Sequence, residues 1–364
     1  MSETFNLTVG GKVVRVAFYY GERRPVGAWD QNPYGALLTD QLERLGIEVE
    51  FVERWDAGYL LENQGRIDVL HHHWPHYTYY NEDPVIMERQ MREFVRCLDL
   101  ARELGYRVVW TAHNLYPHNR RNHEINHQFR LELCRIATAI IAHCDVAAEQ
   151  IRATFGRDHN MFVIPHGHFI GVYPDNVTRE PARQQLGVPP GDFAYGFFGG
   201  MQPYKGVEDL IDTFKRLPEN SWLLIAGGIQ PDYLATVQQH VGGHPRIVLR
   251  AYPGSRAPNE DIPLIMYGAD VVTLPFLETT TSGSLILALS FGAPVIAPAL
   301  GCLPMTVPPD AGILYDPRDP EGLLHAMTTI RDWDIPAASR AGLESARRFG
   351  WEQIARDTLR AYHA

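Results

Sequence analysis

The chain has 364 residues, more than one hydrophobic core ordinarily supports, so two domains of ordinary size are expected. Its 33 Lys and Arg against 43 Asp and Glu leave a formal charge of −10, which argues against a nucleic-acid backbone as the main partner and leaves small phosphorylated ligands open. The 45% hydrophobic share is that of a globular protein, and no apolar run approaches the roughly 18 residues of a membrane-spanning helix.

Short runs rich in Val, Ile and aromatics alternate with longer helical patterns, the signature of βαβ units and parallel sheets. In the first half the expected strands are Val13–Tyr19, Val49–Val52, Val69–His72, Arg107–Thr111, Ala139–Ala142 and Met161–Ile164. Helices are expected at Tyr34–Leu45, where Leu37, Leu38, Leu42 and Leu45 share a face, at about Val85–Leu104 and at His123–Ile136. After Tyr173-Pro174 the pattern restarts. Strands are expected at Ala194–Phe198, Trp222–Ala226, Ile247–Leu249, Val271–Pro275, Pro294–Ala297 and Gly312–Tyr315. Helices between them cover about Val207–Leu217, Pro231–His240, Ile262–Tyr267 and Ser282–Phe291. The stretch PDNVTREPARQQLGVPPGD, rich in Pro and charge, reads as the linker, with the boundary near Gly171–Val188. The resulting expectation is an α/β protein with a first domain over 1–172 and a second over 173–350.

In open α/β sheets ligands bind beyond the carboxyl ends of the strands, so the loops there carry the candidate chemistry. The loop Gly199-Gly200-Met201-Gln202-Pro203-Tyr204-Lys205-Gly206 joins a strand to a helix start, and backbone amides plus the lysine make an anion site. Standing alone, it would sooner be read as a tight turn with a solvated lysine. The second loop, Glu278-Thr279-Thr280-Thr281-Ser282-Gly283, offers hydroxyls and free amides at another helix start, where Ser282 is an N-cap under either reading. A third group, His71-His72-His73-Trp74, His113 and His166-Gly167-His168, brings imidazoles to strand ends in the first half. Consecutive histidines on an extended segment point to opposite faces and no HxH or HExxH spacing occurs, so no metal is expected. Hydrogen bonding to a polyhydroxylated sugar by His72, His73 and His166, with Trp74 or Tyr77 as platform, fits better. The cysteines Cys97, Cys134, Cys144 and Cys302 show no CxxC spacing and read as reduced thiols. With no signal-peptide pattern at the N-terminus, a cytoplasmic location is expected.

Taken together these segments resemble the GT-B glycosyltransferases, and within them the group-1 family known as family 4. The likeness is carried by FFGGMQPYKGVEDLI, LIAGG, VLRAYPGSRAPNEDIPLIMYGADVVTLPF and SGSLILALSFGAPVIAP, and upstream by DVLHHHWPH, VVWTAHN, AIIAHCDVAAEQI and VIPHGHF in the family's order. It implies two Rossmann-like domains facing a central cleft, the N-terminal one for the acceptor and the C-terminal one for a UDP- or GDP-sugar. The segment 351–364 would pack back on the N-terminal domain. The resemblance further implies that Lys205 contacts the donor diphosphate with Gly199, Gly200 and Gly228 nearby. Thr280, Thr281, Ser282 and Gly283 would line the diphosphate and ribose pocket, and His113 would lie beside the donor sugar. No metal cofactor is implied, because helix dipoles and basic side chains neutralise the leaving diphosphate.

Two positions depart from the family. The arginine usual five residues before the Lys-Gly lysine is Gly200, and the Glu-x7-Glu pair falls on Thr279 and Leu287, with Glu278 one residue ahead of the first. An inverting reaction would need a general base, for which Asp30, Glu22 and His113 are the candidates. The acceptor is expected to be a saccharide or lipid-linked sugar. The stretch from His118 to Arg130 reads either as a contact to a membrane surface or acceptor phosphate, or as a solvated helix face. Two further readings are a nucleotide-sugar epimerase of the same architecture and a degenerate nucleotide-sugar-binding protein.

Overall fold

The structure is a computed structural model that describes residues 8–9, 12–19, 32–53, 55–117 and 122–364. Glu22, Asp30 and the Arg120-Arg121 pair lie outside the described residues. The described residues divide into two compact units, one comprising those up to Pro165 together with Trp351–Ala364, the other His166–Gly350.

The first unit opens with a two-stranded antiparallel ribbon, β1 (Thr8–Val9) and β2 (Lys12–Val13). Its parallel sheet is built from β3 (Arg15–Tyr19), β4 (Glu48–Phe51), β5 (Val69–His72), β6 (Arg107–Ala112), β7 (Ala139–Ala142) and β8 (Met161–Val163), in the order β4-β3-β5-β6-β7-β8. Helices α1 (Tyr34–Arg44), α2 (Ala57–Glu62), α3 (Pro84–Glu103), α4 (His123–Ile136) and α5 (Asp145–Phe155) supply the crossovers. Strands covered on both faces read as near-continuous apolar runs, which is why Val69–His72 and Ala139–Ala142 stood out in the sequence.

The second unit begins with α6 (Arg179–Leu186) and β9 (Phe193–Phe198), then α7 (Val207–Phe214), β10 (Ser221–Ile229), α8 (Pro231–Val241), β11 (Ile247–Pro253), α9 (Asp261–Gly268) and β12 (Val271–Thr273). It continues through α10 (Gly283–Ser290), β13 (Val295–Pro298), α11 (Leu303–Thr306), β14 (Gly312–Tyr315), α12 (Gly322–Thr329) and α13 (Ile335–Arg347). Its parallel sheet runs β11-β10-β9-β12-β13-β14, so the strand order reverses between β9 and β12. The last helix, α14 (Trp351–Tyr362), buries Trp351, Ile354, Leu359 and Tyr362 in one cluster with Val16, Phe18, Leu38 and Leu42 of the first unit. An apolar stripe repeating at helical spacing on α14 meets one on α1, and their burial anchors the chain end there.

The stretch read as a linker holds a packed helix. In α6, Ala182 and Leu186 are buried against Leu264 and Ile265 of α9. Arg183 donates to Asp270 Oδ2 at 2.6 Å and Arg179 pairs with the same carboxylate, which also accepts from the Ala194 amide at 2.7 Å. Arginine stems and an ion-paired core aspartate do here what large apolar residues do elsewhere, so a low apolar content concealed a packed element. The cysteine expectation also needs correction: Cys97 and Cys134 carry thiols, whereas Cys144 and Cys302 are disulfide-bonded. No described helix is long and apolar enough to cross a membrane.

Candidate functional site

In the second unit the strand-order reversal between β9 and β12 opens a crevice beyond their carboxyl ends, the general location of ligands in such sheets. The loops that bracket it are those singled out from sequence. Beyond β9 the chain passes Gly199 and Gly200, turns through a short 3-10 helix at Pro203–Lys205, and enters α7 at Gly206. Beyond β12 it runs through Phe276 to Ser282 into α10. The Leu277 amide donates to the Tyr204 carbonyl at 2.9 Å, which ties the two loops together.

Backbone packs against backbone throughout this region. Gly206 has φ +66°, and a Cβ there would lie 2.1 Å from the Pro275 carbonyl oxygen, so only glycine lets α7 begin this close to the neighbouring loop. Gly199, at φ +143°, sits under Ser284, where a Cβ would meet Oγ at 2.7 Å. By contrast a Cβ at Gly200 or Gly283 would meet nothing within 4 Å. Those two positions border open space. Gly228 lies in β10, closely backed by the Ser255 carbonyl, and its own carbonyl accepts from Met201 at 2.7 Å.

Lys205 brings a charge to this crevice. Its Nζ lies 4.5 Å from the centroid of the Phe276 ring and 5.2 Å from that of Tyr204, with no carboxylate partner among the described residues. Burial pulls its pKa down to about 8. An ammonium held against aromatic faces without an acid is a cation awaiting an anion. Ser282 caps α10 by accepting from the Leu285 amide at 3.2 Å, Thr279 Oγ1 donates to the Thr281 carbonyl at 3.0 Å, and the Thr280 carbonyl accepts from Cys302 at 2.7 Å. The loop is thus stiffened by its own polar groups, and the first amides of an eight-residue helix face its mouth. Glu278 is half-buried in the same loop, and Leu287 is buried in α10 at 5% exposure.

The first unit presents a different surface beyond its strands. One histidine stands one residue past the end of each of three neighbouring strands: His73 after β5, His113 after β6 and His143 after β7. They form a hydrogen-bonded chain. His73 Nδ1 lies 3.0 Å from His113 Nε2, His113 Nδ1 lies 3.0 Å from His143 Nε2, and His143 Nδ1 lies 2.9 Å from the Ile164 carbonyl. A carbonyl only accepts, so His143 carries its proton on Nδ1. In the neutral chain His113 then donates from Nδ1 to His143, and His73 donates from Nδ1 to His113. Burial keeps the chain neutral, with His143 pulled down to about 4 and His73 well below the usual histidine range.

Aromatic rings fix these imidazoles in place. Trp74 stacks on His113 with centroids 4.4 Å apart, and Tyr34 meets His113 edge-on at 4.7 Å. Behind them His71 spans Tyr362 and Thr111 at 2.8 Å each, with its pKa pulled down to about 3 by burial. His72, one residue along, points to the other face of the sheet, where it packs on Trp55 at 3.9 Å and Phe94 at 5.2 Å. The expected sugar-binding set is therefore divided: His73, Trp74 and His113 come together, and His72 is buried apart from them. His166 donates to the Gly167 carbonyl at 2.8 Å and packs on Phe169 in the second unit. His143 is the member that the sequence reading missed, although its place one residue past a strand, in register with His73 and His113, was a usable signal. Among the described residues no group of three or more His, Cys, Asp or Glu could hold a metal ion.

Residues 192–332 match the family model described as "Glycosyl transferases group 1". Over 99% of this chain and 96% of its own length, the GDP-mannose:glycolipid 4-beta-D-mannosyltransferase of Xanthomonas campestris pv. campestris is 26% identical. The D-inositol 3-phosphate glycosyltransferase of Mycolicibacterium smegmatis is 28% identical over 62% of this chain and 52% of that protein, so the chain spans about half the length of this relative. Among solved structures, Anabaena HepE in complex with UDP and glucose superposes with a TM-score of 0.70 at 18% identity, covering 96% of this chain and 100% of that one. Sucrose-phosphate synthase from Thermosynechococcus elongatus gives 0.71 at 19% identity, covering 96% and 98%. Residues 192–332 are thus similar to the group 1 glycosyl transferases, and the chain has the two-domain GT-B fold.

Proposed function

We propose that the protein transfers a glycosyl residue from a UDP- or GDP-activated sugar to a saccharide or lipid-linked acceptor, with no metal cofactor. The observation that carries this reading is the crevice between β9 and β12. There Lys205 presents an ammonium with no acid partner among the described residues, and α7 and α10 begin on loops locked together through Tyr204 and Leu277. A departing nucleoside diphosphate needs positive potential that is already in place, and Lys205 with the helix N-termini supplies it. The relatives lend support, since the Xanthomonas protein's name couples a GDP-sugar to a glycolipid acceptor.

On this reading Gly199, Gly200, Lys205, Gly228 and Thr280–Gly283 form the donor diphosphate and ribose site. In the first unit Trp74, His73 and His113 are the residues proposed to bind sugar. His113 positions the sugar through its stacked, hydrogen-bonded ring, and Glu278 and Asp30 are the carboxylates assigned to the reacting centre.

The test is a donor-consumption assay with UDP- and GDP-sugars, run with and without candidate saccharide or glycolipid acceptors. Release of nucleoside diphosphate only when an acceptor is present is expected. Conversion of the donor sugar without any acceptor would favour the epimerase reading. Tight nucleotide binding with no turnover under either condition would favour a degenerate binding protein.

A further inference from the structure

On the side of the first sheet covered by α3 and α4 lies a buried positive charge that no carboxylate among the described residues neutralises. Arg130, in α4, is only 3% exposed. Its guanidinium carbon lies 4.7 Å from the Trp110 ring centroid and 5.7 Å from that of Phe129, and its Nε donates to the Leu115 carbonyl at a long 3.3 Å. Nη1 is buried with no hydrogen-bond partner. The groups that act on this guanidinium favourably are Tyr79, Tyr116 and Cys134, none of them a carboxylate. The surrounding polar atoms share its condition. Trp110 Nε1 and both ring nitrogens of His72, its cross-strand neighbour, are buried without partners. A buried arginine is ordinarily paired with an acid, because leaving a charge out of water uncompensated is among the costliest arrangements in a protein, and aromatic faces recover only part of the loss. Arg130 Nη1–H and Trp110 Nε1–H are thus two buried donors on one face with no acceptor among the described residues, and with the charge on the guanidinium the component that completes them is an anion.

We infer that Arg130 is the centre of a buried oxyanion subsite that takes the phosphate group of the sugar acceptor. Its Nη1–H donates to a phosphate oxygen, a charge-assisted bond, while Nε–H keeps the Leu115 carbonyl. Trp110 Nε1–H is a further unspent donor on the same face. Only the word acceptor rests on the glycosyl-transfer reading. The anion site rests on the geometry.

The test is thermal unfolding with inorganic phosphate, with a hexose 6-phosphate and with the unphosphorylated hexose, at constant ionic strength. It is run in a Lys205→Ala background so that the second unit's anion site does not contribute. Both phosphates should raise Tm and the plain hexose should not, because a ligand that binds only the folded state stabilises it by mass action. Arg130→Met, which replaces the charge with an apolar chain, should fold with an undiminished Tm and lose the phosphate response. If Met is not tolerated, Arg130→Gln gives the same reading of the response. A phosphate shift absent from the parent, or retained in full by either variant, would overturn the subsite. A phosphate response in a protein that transfers no sugar would sink the glycosyl-transfer reading and leave the subsite standing. Transfer activity without any phosphate response would do the reverse.

Discussion

The two units meet the same requirement, a polar surface beyond the carboxyl ends of a parallel sheet, by opposite means. In the second unit the surface is made of backbone: glycines let the loops after β9 and β12 touch, and one lysine adds charge. In the first unit it is made of side chains, with three imidazoles and two aromatic rings brought together from positions far apart in sequence. A backbone site tolerates almost no change at its glycines but accepts variation around them. A side-chain site depends on proton positions and on charge. The two should therefore fail differently under mutation and under acid.

The largest effect is expected at Gly206. A methyl group there meets the Pro275 carbonyl at 2.1 Å, and the φ of +66° disfavours any L side chain, so Gly206→Ala should cost more than about 3 kcal/mol in urea unfolding. A loss below about 1 kcal/mol would show that the loop pair is not held by backbone contact. The next effect is in the first unit and is set by pH. The unfolded histidines titrate near 6.5, and in the folded chain His71 is pulled down to about 3 and His143 to about 4. Between those values the unfolded state binds more protons, so stability falls as pH falls from about 6.5 toward 4 and is fully present above it. The loss between pH 7 and 5 should be roughly 2 kcal/mol for each of these two imidazoles. Urea titrations at both pH values measure it, and equal stability would mean that the imidazole chain takes up protons while folded.

Smaller effects sharpen the contrast. Replacing His143 by Phe removes the hydrogen bond that fixes the His113 proton while keeping an aromatic ring in place. Turnover should fall about tenfold or more with little change in nucleotide affinity, and an equal loss of both would assign His143 to the fold alone. Ser282→Ala removes an N-cap and should cost about 1 kcal/mol, with a matching weakening of nucleotide binding. Lys205, at about 8, should take up a proton when an anion binds. Calorimetry at pH 8 in buffers of different ionisation enthalpy would register that uptake, and buffer-independent heats would deny it.

The same contrast explains what could be read from the sequence. The second unit's loops were legible because Gly-Gly, Lys-Gly and Thr-Thr-Ser-Gly are contiguous and each follows a strand. The parallel sheets were legible because their strands are apolar on both faces. Helix α13, built largely from Ala, Ser, Gly and Arg, offers little apolar contrast and passed unnoticed, as did α5, in which buried alanines do much of the packing. Helix α6 was hidden because its core contacts are made by arginines to Asp270. In the first unit, periodicity could place His72 and His73 on opposite faces but could not show that His113 bridges His73 to His143. That depends on the spacing of three strands in a sheet whose order no single segment encodes. Arg130 was open to reading as a solvated helix residue, since its burial arises from Trp110 and the loop at Leu115, neither adjacent in sequence.

The measurement that bears most directly on the proposed activity is calorimetric titration of UDP and GDP into the parent protein and into Lys205→Ala. One of the two nucleotides should bind the parent, and the variant should lose at least tenfold in affinity for it. Unchanged affinity in the variant, or no binding of either nucleotide to the parent, would contradict a donor site between β9 and β12.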